Sequence, residues 1–137
     1  MKCVEVVRHE TTSDATVEIT MELARRMGKE PVLINKEIPG FIANRLMGAI
    51  QKEALFLADS GIASIEDIDT TARTALGHPM GPFALMDMVG LDVIDFIAQA
   101  TYAETGLEED KPNPGIAALV AEGKLGRKTG AGFYNYS

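Results

Sequence analysis

The sequence predicts a mainly α protein, a helical domain preceded by a short strand–helix–strand segment. Three observations predict it. Residues 37–137 carry apolar residues at spacings of three and four, the mark of helices packed on one face. Glycines at 61, 77 and 90 punctuate that run where helices stop or bend. Ahead of it, two short runs rich in apolar β-formers flank a single helical stretch within residues 1–36.

The elements follow in order. "CVEVVR", residues 3–8, reads as a strand. Thr11 followed three residues later by Asp14 has the form of a capping box and predicts a helix start. In "ATVEITMELARRMGK", Val17, Met21 and Ala24 share one helical row and Ile19, Leu23 and Met27 a second, with Gly28 in the position after the helix end. "PVLIN", residues 31–35, is a second strand, and a helical crossover favours parallel pairing. Two strands do not make a stable sheet by themselves, so this segment reads as the end of a larger sheet whose other strands lie upstream of Met1.

"FIANRLMGAIQKEALFLADSG" is a long helix with Met47, Ile50, Ala54 and Leu57 aligned. Ser64 with Asp67 repeats the capping pattern, and Ile65, Ile68, Ala72 and Leu76 form the next stripe. "HPMGPFALMDMVGLD", residues 78–92, predicts a tight turn feeding a helix, because proline fixes φ, lacks a donor and suits a first turn. Gly90 breaks or bends that helix before "LDVIDFIAQATYAE" continues. "GLEEDKPNP" is an acidic loop, "GIAALVAEG" a last short helix, and "KLGRKTGAGFYNYS" a docked loop.

Composition excludes several classes. With 46% hydrophobic and 24% charged residues the chain is globular rather than disordered. A net charge of −7 argues against a nucleic-acid partner, which needs a basic face. No apolar run reaches the roughly 20 residues of a membrane span, and no charged-then-apolar leader pattern opens the chain. One cysteine rules out an intrachain disulfide; Cys3 is expected to be a small buried strand residue. These features lead to an expectation of a cytoplasmic protein.

Few side chains offer chemistry. Glu5 lies mid-strand, on the opposite face from Val4 and Val6. It is either solvent-facing or a carboxylate that orients a catalytic histidine. His9 is no partner for it, since four strand residues span about 13 Å. His78, before a proline, reads as a turn residue. Two histidines and one cysteine make a transition-metal site improbable. Asn44, in the first turns of the long helix, is a capping or surface residue, or a donor to a ligand oxygen. Arg45 reads as an ion-pair residue. Asp87 reads as an acid near a helix start, where the macrodipole favours it. Lys124, Arg127 and Lys128 form a basic cluster, a solvated face or a contact for a phosphate-rich ligand. "TGAGF" is not a dinucleotide fingerprint, because no helix can follow it.

"MKCVEVVR", "IPGFIANRL", "SIEDIDTTARTALGHPMGPFALMDMVGLDV" and "GRKTGAGFYNY" together resemble the C-terminal part of NAD-dependent 3-hydroxyacyl-CoA dehydrogenases, the bacterial 3-hydroxybutyryl-CoA enzymes especially. The resemblance covers essentially the whole chain, with the blocks in the family's order. It implies a division at residues 1–36, the last strand–helix–strand of a Rossmann-type NAD-binding domain, and 37–137, the helical dimerisation domain. It implies interconversion of 3-hydroxyacyl-CoA and 3-oxoacyl-CoA with NAD, as in fatty-acid and butyrate metabolism, by a homodimer. It implies three roles: Glu5 orients the catalytic histidine, Asn44 positions the substrate's 3-oxygen, and Lys128 contacts NAD. The family's histidine and glycine-rich fingerprint fall before Met1, and neither His9 nor His78 matches the catalytic position. The expectation is therefore a fragment that lacks dehydrogenase activity alone. The alternative is a non-catalytic helical module that completes a separate Rossmann-domain partner.

Overall fold

Cys3–Val7 forms strand β1 and Glu30–Ile34 strand β2, in a computed structural model that describes residues 1–136. The strands pair in parallel, with Glu5 opposite Val32. Helix α1 (Asp14–Arg26) makes the crossover and packs on both. It buries Val17 and Ala24, and Ile34 of β2 is buried as well. The expected second row of α1 is exposed: Ile19, Leu23 and Met27 face outward. The start of α1 differs from the Thr11–Asp14 reading. Ser13 is the cap, its hydroxyl accepting from Thr16 N at 3.1 Å, because it directly precedes the first helical residue. Cys3 is exposed, contrary to expectation, at the first position of β1.

The chain divides into two compact units, Met1–Ala49 and Ile50–Ser137. Helix α2 (Ala43–Asp59) begins in the first and ends in the second. It starts two residues later than the apolar pattern of "FIANRL" suggests, because Phe41 has φ +48° and cannot join a right-handed helix.

Four helices follow: α3 (Ile65–Thr74), α4 (Pro82–Val89), α5 (Leu91–Thr105) and α6 (Pro114–Ala121). Ser64 caps α3 as its pattern predicts, accepting from Asp67 N at 3.1 Å. Asn113 caps α6 by accepting from Ile116 N at 3.0 Å. Pro82 occupies the first turn of α4, and Gly90 separates α4 from α5. The core joins Ala54, Ile68, Phe83, Met86, Leu91 and Ile116. Phe83, Met86 and Leu91 are fully buried, each contributing roughly 2 kcal/mol of burial free energy. Phe133 of the tail meets Phe83 edge to face, with centroids 4.8 Å apart. The tail is docked, as its glycines and tyrosines predict. No helix among the described residues is long and apolar enough to cross a membrane.

Candidate functional site

The start of α2 is built by a turn and by a side chain from another element. Phe41 N donates to Ile38 O at 3.1 Å, closing a turn over Pro39 and Gly40. Gly40 has φ +81°. Proline then glycine at the two central positions is what a type II turn requires. Phe41 follows in the left-handed region, which costs a non-glycine residue roughly 1 kcal/mol. Ile42 O then accepts the first helical bond, from Leu46 N at 3.0 Å.

Ile42 thus stands where a helix normally carries Ser, Thr, Asp or Asn, and its side chain cannot cap. Glu5 of β1 does so instead. Its Oε1 accepts from Ile42 N at 2.7 Å and from Ala43 N at 3.0 Å. A carboxylate at a helix N-terminus is favoured by hydrogen bonding and by the macrodipole. Among the described residues none donates to Oε2. Glu5 is half-buried, so the solvent-facing reading is replaced by a tethered one. Asn44 is the next residue of α2 and is exposed. The structure therefore brings Glu5 and Asn44 to one place, the first turn of α2. His9 is not there: its Nδ1 contacts Thr11 Oγ1 at 3.0 Å.

Lys128 belongs to the second unit, in a 3-10 turn at Arg127–Thr129. Its ammonium donates to Asp92 Oδ1 at 2.5 Å, and both side chains are partly exposed. That bond holds the Asp92 carboxyl below the usual range. An ammonium has three donors, so Lys128 keeps capacity for a further acceptor beside Asp92. Arg127 of the same cluster lies over the Tyr136 ring, 5.4 Å from its centroid.

Two buried acids in this unit, Asp87 and Asp69, hold backbone amides of other segments; the sequence pattern places Asp87 near a helix start and does not single out Asp69. Asp87 lies not near the start of α4 but in its last turn, and there the macrodipole opposes it. It is compensated by the tail: Oδ1 accepts from Phe133 N at 2.9 Å, and Oδ2 from Tyr134 N at 3.0 Å and Tyr136 Oη at 2.9 Å. Gly132 is small because a Cβ there would collide with this carboxylate. Asp69 of α3 caps α4, accepting from Phe83 N at 2.8 Å on Oδ1 and Ala84 N at 3.0 Å on Oδ2. Tyr134 Oη also donates to Asp69 Oδ2. Burial, and then the bond to Asp69, push the Tyr134 phenol well above its usual range; burial, and then the bond to Asp87, also raise Tyr136, against the opposing pull of Arg127. The signal for Asp87 was available: a lone acid in the apolar run "PFALMDMV" must find donors.

A helical domain joined to the closing strand–helix–strand of a parallel α/β domain defines the class. The chain belongs to the 3-hydroxyacyl-CoA dehydrogenase family. Residues 40–136 match the family model described as "3-hydroxyacyl-CoA dehydrogenase, C-terminal domain", and residues 1–38 that described as "3-hydroxyacyl-CoA dehydrogenase, NAD binding domain". It is similar to human mitochondrial hydroxyacyl-coenzyme A dehydrogenase, 46% identical over 99% of this chain and 43% of that protein. It is similar to 3-hydroxybutyryl-CoA dehydrogenase of Clostridioides difficile, 40% identical over 100% of this chain and 48% of that protein. Among solved structures it resembles (S)-3-hydroxybutyryl-CoA dehydrogenase from Ralstonia eutropha, with a TM-score of 0.87 and 39% identity over 100% of this chain and 48% of that one. The chain spans less than half the length of these relatives.

Proposed function

We propose that this chain forms the helical part, and the end of the NAD-binding part, of an enzyme that interconverts 3-hydroxyacyl-CoA and 3-oxoacyl-CoA. The division falls at residues 36 and 37. One observation carries the reading: Glu5 is fixed through one oxygen at the helix turn that bears Asn44, and its second oxygen takes no bond from the described residues. That is the arrangement expected of a carboxylate whose task is to accept from an imidazole N–H and stabilise the imidazolium. The histidine takes the hydroxyl proton, and Asn44, exposed on the first turn, donates to the 3-oxygen. NAD, when bound, supplies the hydride acceptor. Lys128 is the residue of this chain offered to it, holding an anionic group by charge. We place the enzyme in the cytoplasm.

The same reading makes the enzyme a homodimer. Helix α5 leaves Val93, Phe96 and Ile97 exposed at 40%, 71% and 55%, a side too apolar for water alone. Sedimentation equilibrium is expected to give twice the chain mass, and Phe96→Asp to give the monomer.

The catalytic reading is tested by joining residues 1–137 to the NAD-binding segment of the C. difficile relative and following NADH-dependent reduction of acetoacetyl-CoA. Glu5→Gln is expected to lower turnover about 10²-fold or more, and Asn44→Ala to lower it as well. The 137 residues alone are expected to turn nothing over. A folded chimera indifferent to Glu5→Gln would remove the reading.

A further inference from the structure

We propose that Phe41 is a positioning residue: its left-handed backbone aims the amides of Ile42 and Ala43 at Glu5, and so sets where Glu5 Oε2 and Asn44 point. The inference rests on the role proposed for Glu5 and Asn44, and deepens it.

Three observations meet here. Phe41 is the one non-glycine residue among those described with a positive φ, at +48°. Such a conformation in a bulky residue persists only where its surroundings over-determine it, and it gathers at functional sites. Both neighbours are fixed by hydrogen bonds. On one side, Phe41 N is held by Ile38 O through the Pro39–Gly40 turn. On the other, Ile42 N and Ala43 N are held by Glu5 Oε1. Phe41 is the joint between the two restraints, so the turn reaches the carboxylate only if this residue stays left-handed.

The side chain does not account for the conformation. Phe41 is 38% exposed and belongs to no buried cluster. Its backbone matters because it feeds the helix directly. With an extended φ at Phe41, the amide vectors of Ile42 and Ala43 turn away from Oε1. Glu5 then loses both tethers, its carboxylate rotates, and Asn44, one residue further on, moves with the helix start.

The test needs neither substrate nor NAD, so it separates this inference from the catalytic one. Two variants are compared with the parent by amide hydrogen exchange and by the Glu5 side-chain carboxyl carbon signal. Phe41→Gly removes the ring but adopts a positive φ without strain. It is expected to keep Ile42 and Ala43 protected and the Glu5 signal in place. Phe41→Val keeps an apolar side chain but resists a positive φ through its branched Cβ. It is expected to speed exchange of those two amides about tenfold or more and to shift the Glu5 signal, while the amides of Arg8 and Glu30, bonded to Ile34 O and Lys2 O at the two ends of the strand pair, stay protected. Retained protection in Phe41→Val, or lost protection in Phe41→Gly, overturns the proposal; the latter assigns the effect to the ring. Either result leaves the chimera assay as the judge of Glu5 in catalysis.

Discussion

Glu5 in the first unit and Asp87 and Asp69 in the second all hold backbone amides of a distant segment, yet they are used differently. Asp87 and Asp69 are 1% and 4% exposed, and each spends both oxygens: two backbone amides plus a tyrosine hydroxyl. Glu5 is half-buried and takes its two amides on one oxygen. A buried carboxylate with donors on both oxygens is a structural tie, because losing it leaves uncompensated groups on either side. A carboxylate anchored on one side and open on the other is oriented without being saturated. The difference separates a brace bonded on both oxygens from an acid that caps amides and can still take a further donor.

The largest effect is expected where both oxygens are bonded and the acid is most buried. Asp87→Ala strands Phe133 N, Tyr134 N and Tyr136 Oη, three half-buried donors each costing up to about 1–3 kcal/mol with partial relief from water. A loss of about 3–5 kcal/mol is expected in urea denaturation. All three tyrosines lie in the second unit, so their near-UV circular dichroism reports that unit alone. A loss below about 1 kcal/mol would break the comparison at its strongest point. Asp69→Ala comes next, at about 2–3 kcal/mol, since α4 loses its cap and Tyr134 a partner. Hydrogen exchange at Phe83 and Ala84 should rise with it.

Much of this was legible in the sequence. The strand–helix–strand opening, the Ser64 cap, the Pro82 helix start and the Gly90 break follow from local chemistry, which acts within a few residues. What sequence could not give was pairing across distance. Asp69 and Phe83 are 14 residues apart, Asp87 and Tyr136 are 49, and Glu5 and Ile42 are 37. Nothing in the neighbourhood of Asp69 announces that it caps another helix. Phe41 escaped for a related reason: aromatic residues do not advertise a left-handed φ, which is imposed by the turn before and the carboxylate beyond. Glu5 was singled out by its place among valines, but its tether was not foreseen.

A smaller effect tests the tyrosine side of the buried pair. Tyr134→Phe removes one bond to Asp69 and should cost about 1 kcal/mol near neutral pH. Its pH dependence has a defined sign. The native phenol holds its proton above the usual range, whereas the unfolded one releases it near pH 10. Above about pH 10 the unfolded state therefore binds fewer protons than the native one, and stability falls as pH rises. The stabilisation is complete below that point. The gap between parent and Tyr134→Phe should accordingly narrow from pH 9 toward pH 11, in about unit steps of urea titration. A gap that widens would mean the phenol is not kept protonated by burial and Asp69.

The smallest stability effect is expected at Glu5, and it decides the comparison. Glu5→Gln keeps a carbonyl oxygen able to accept from Ile42 N and Ala43 N, and loses only the charge that strengthens those bonds. At a half-buried helix start that is worth about 0.5–1 kcal/mol. The global transition should move little, while exchange at Ile42 and Ala43 quickens modestly. A brace of the Asp87 kind would instead cost several kcal/mol on losing its charge. If Glu5→Gln is that costly, the acid is saturated in solution by a donor on Oε2, and it belongs with the buried ties. If the cost stays small while chimera turnover collapses, the open oxygen is what the fold preserves Glu5 to present.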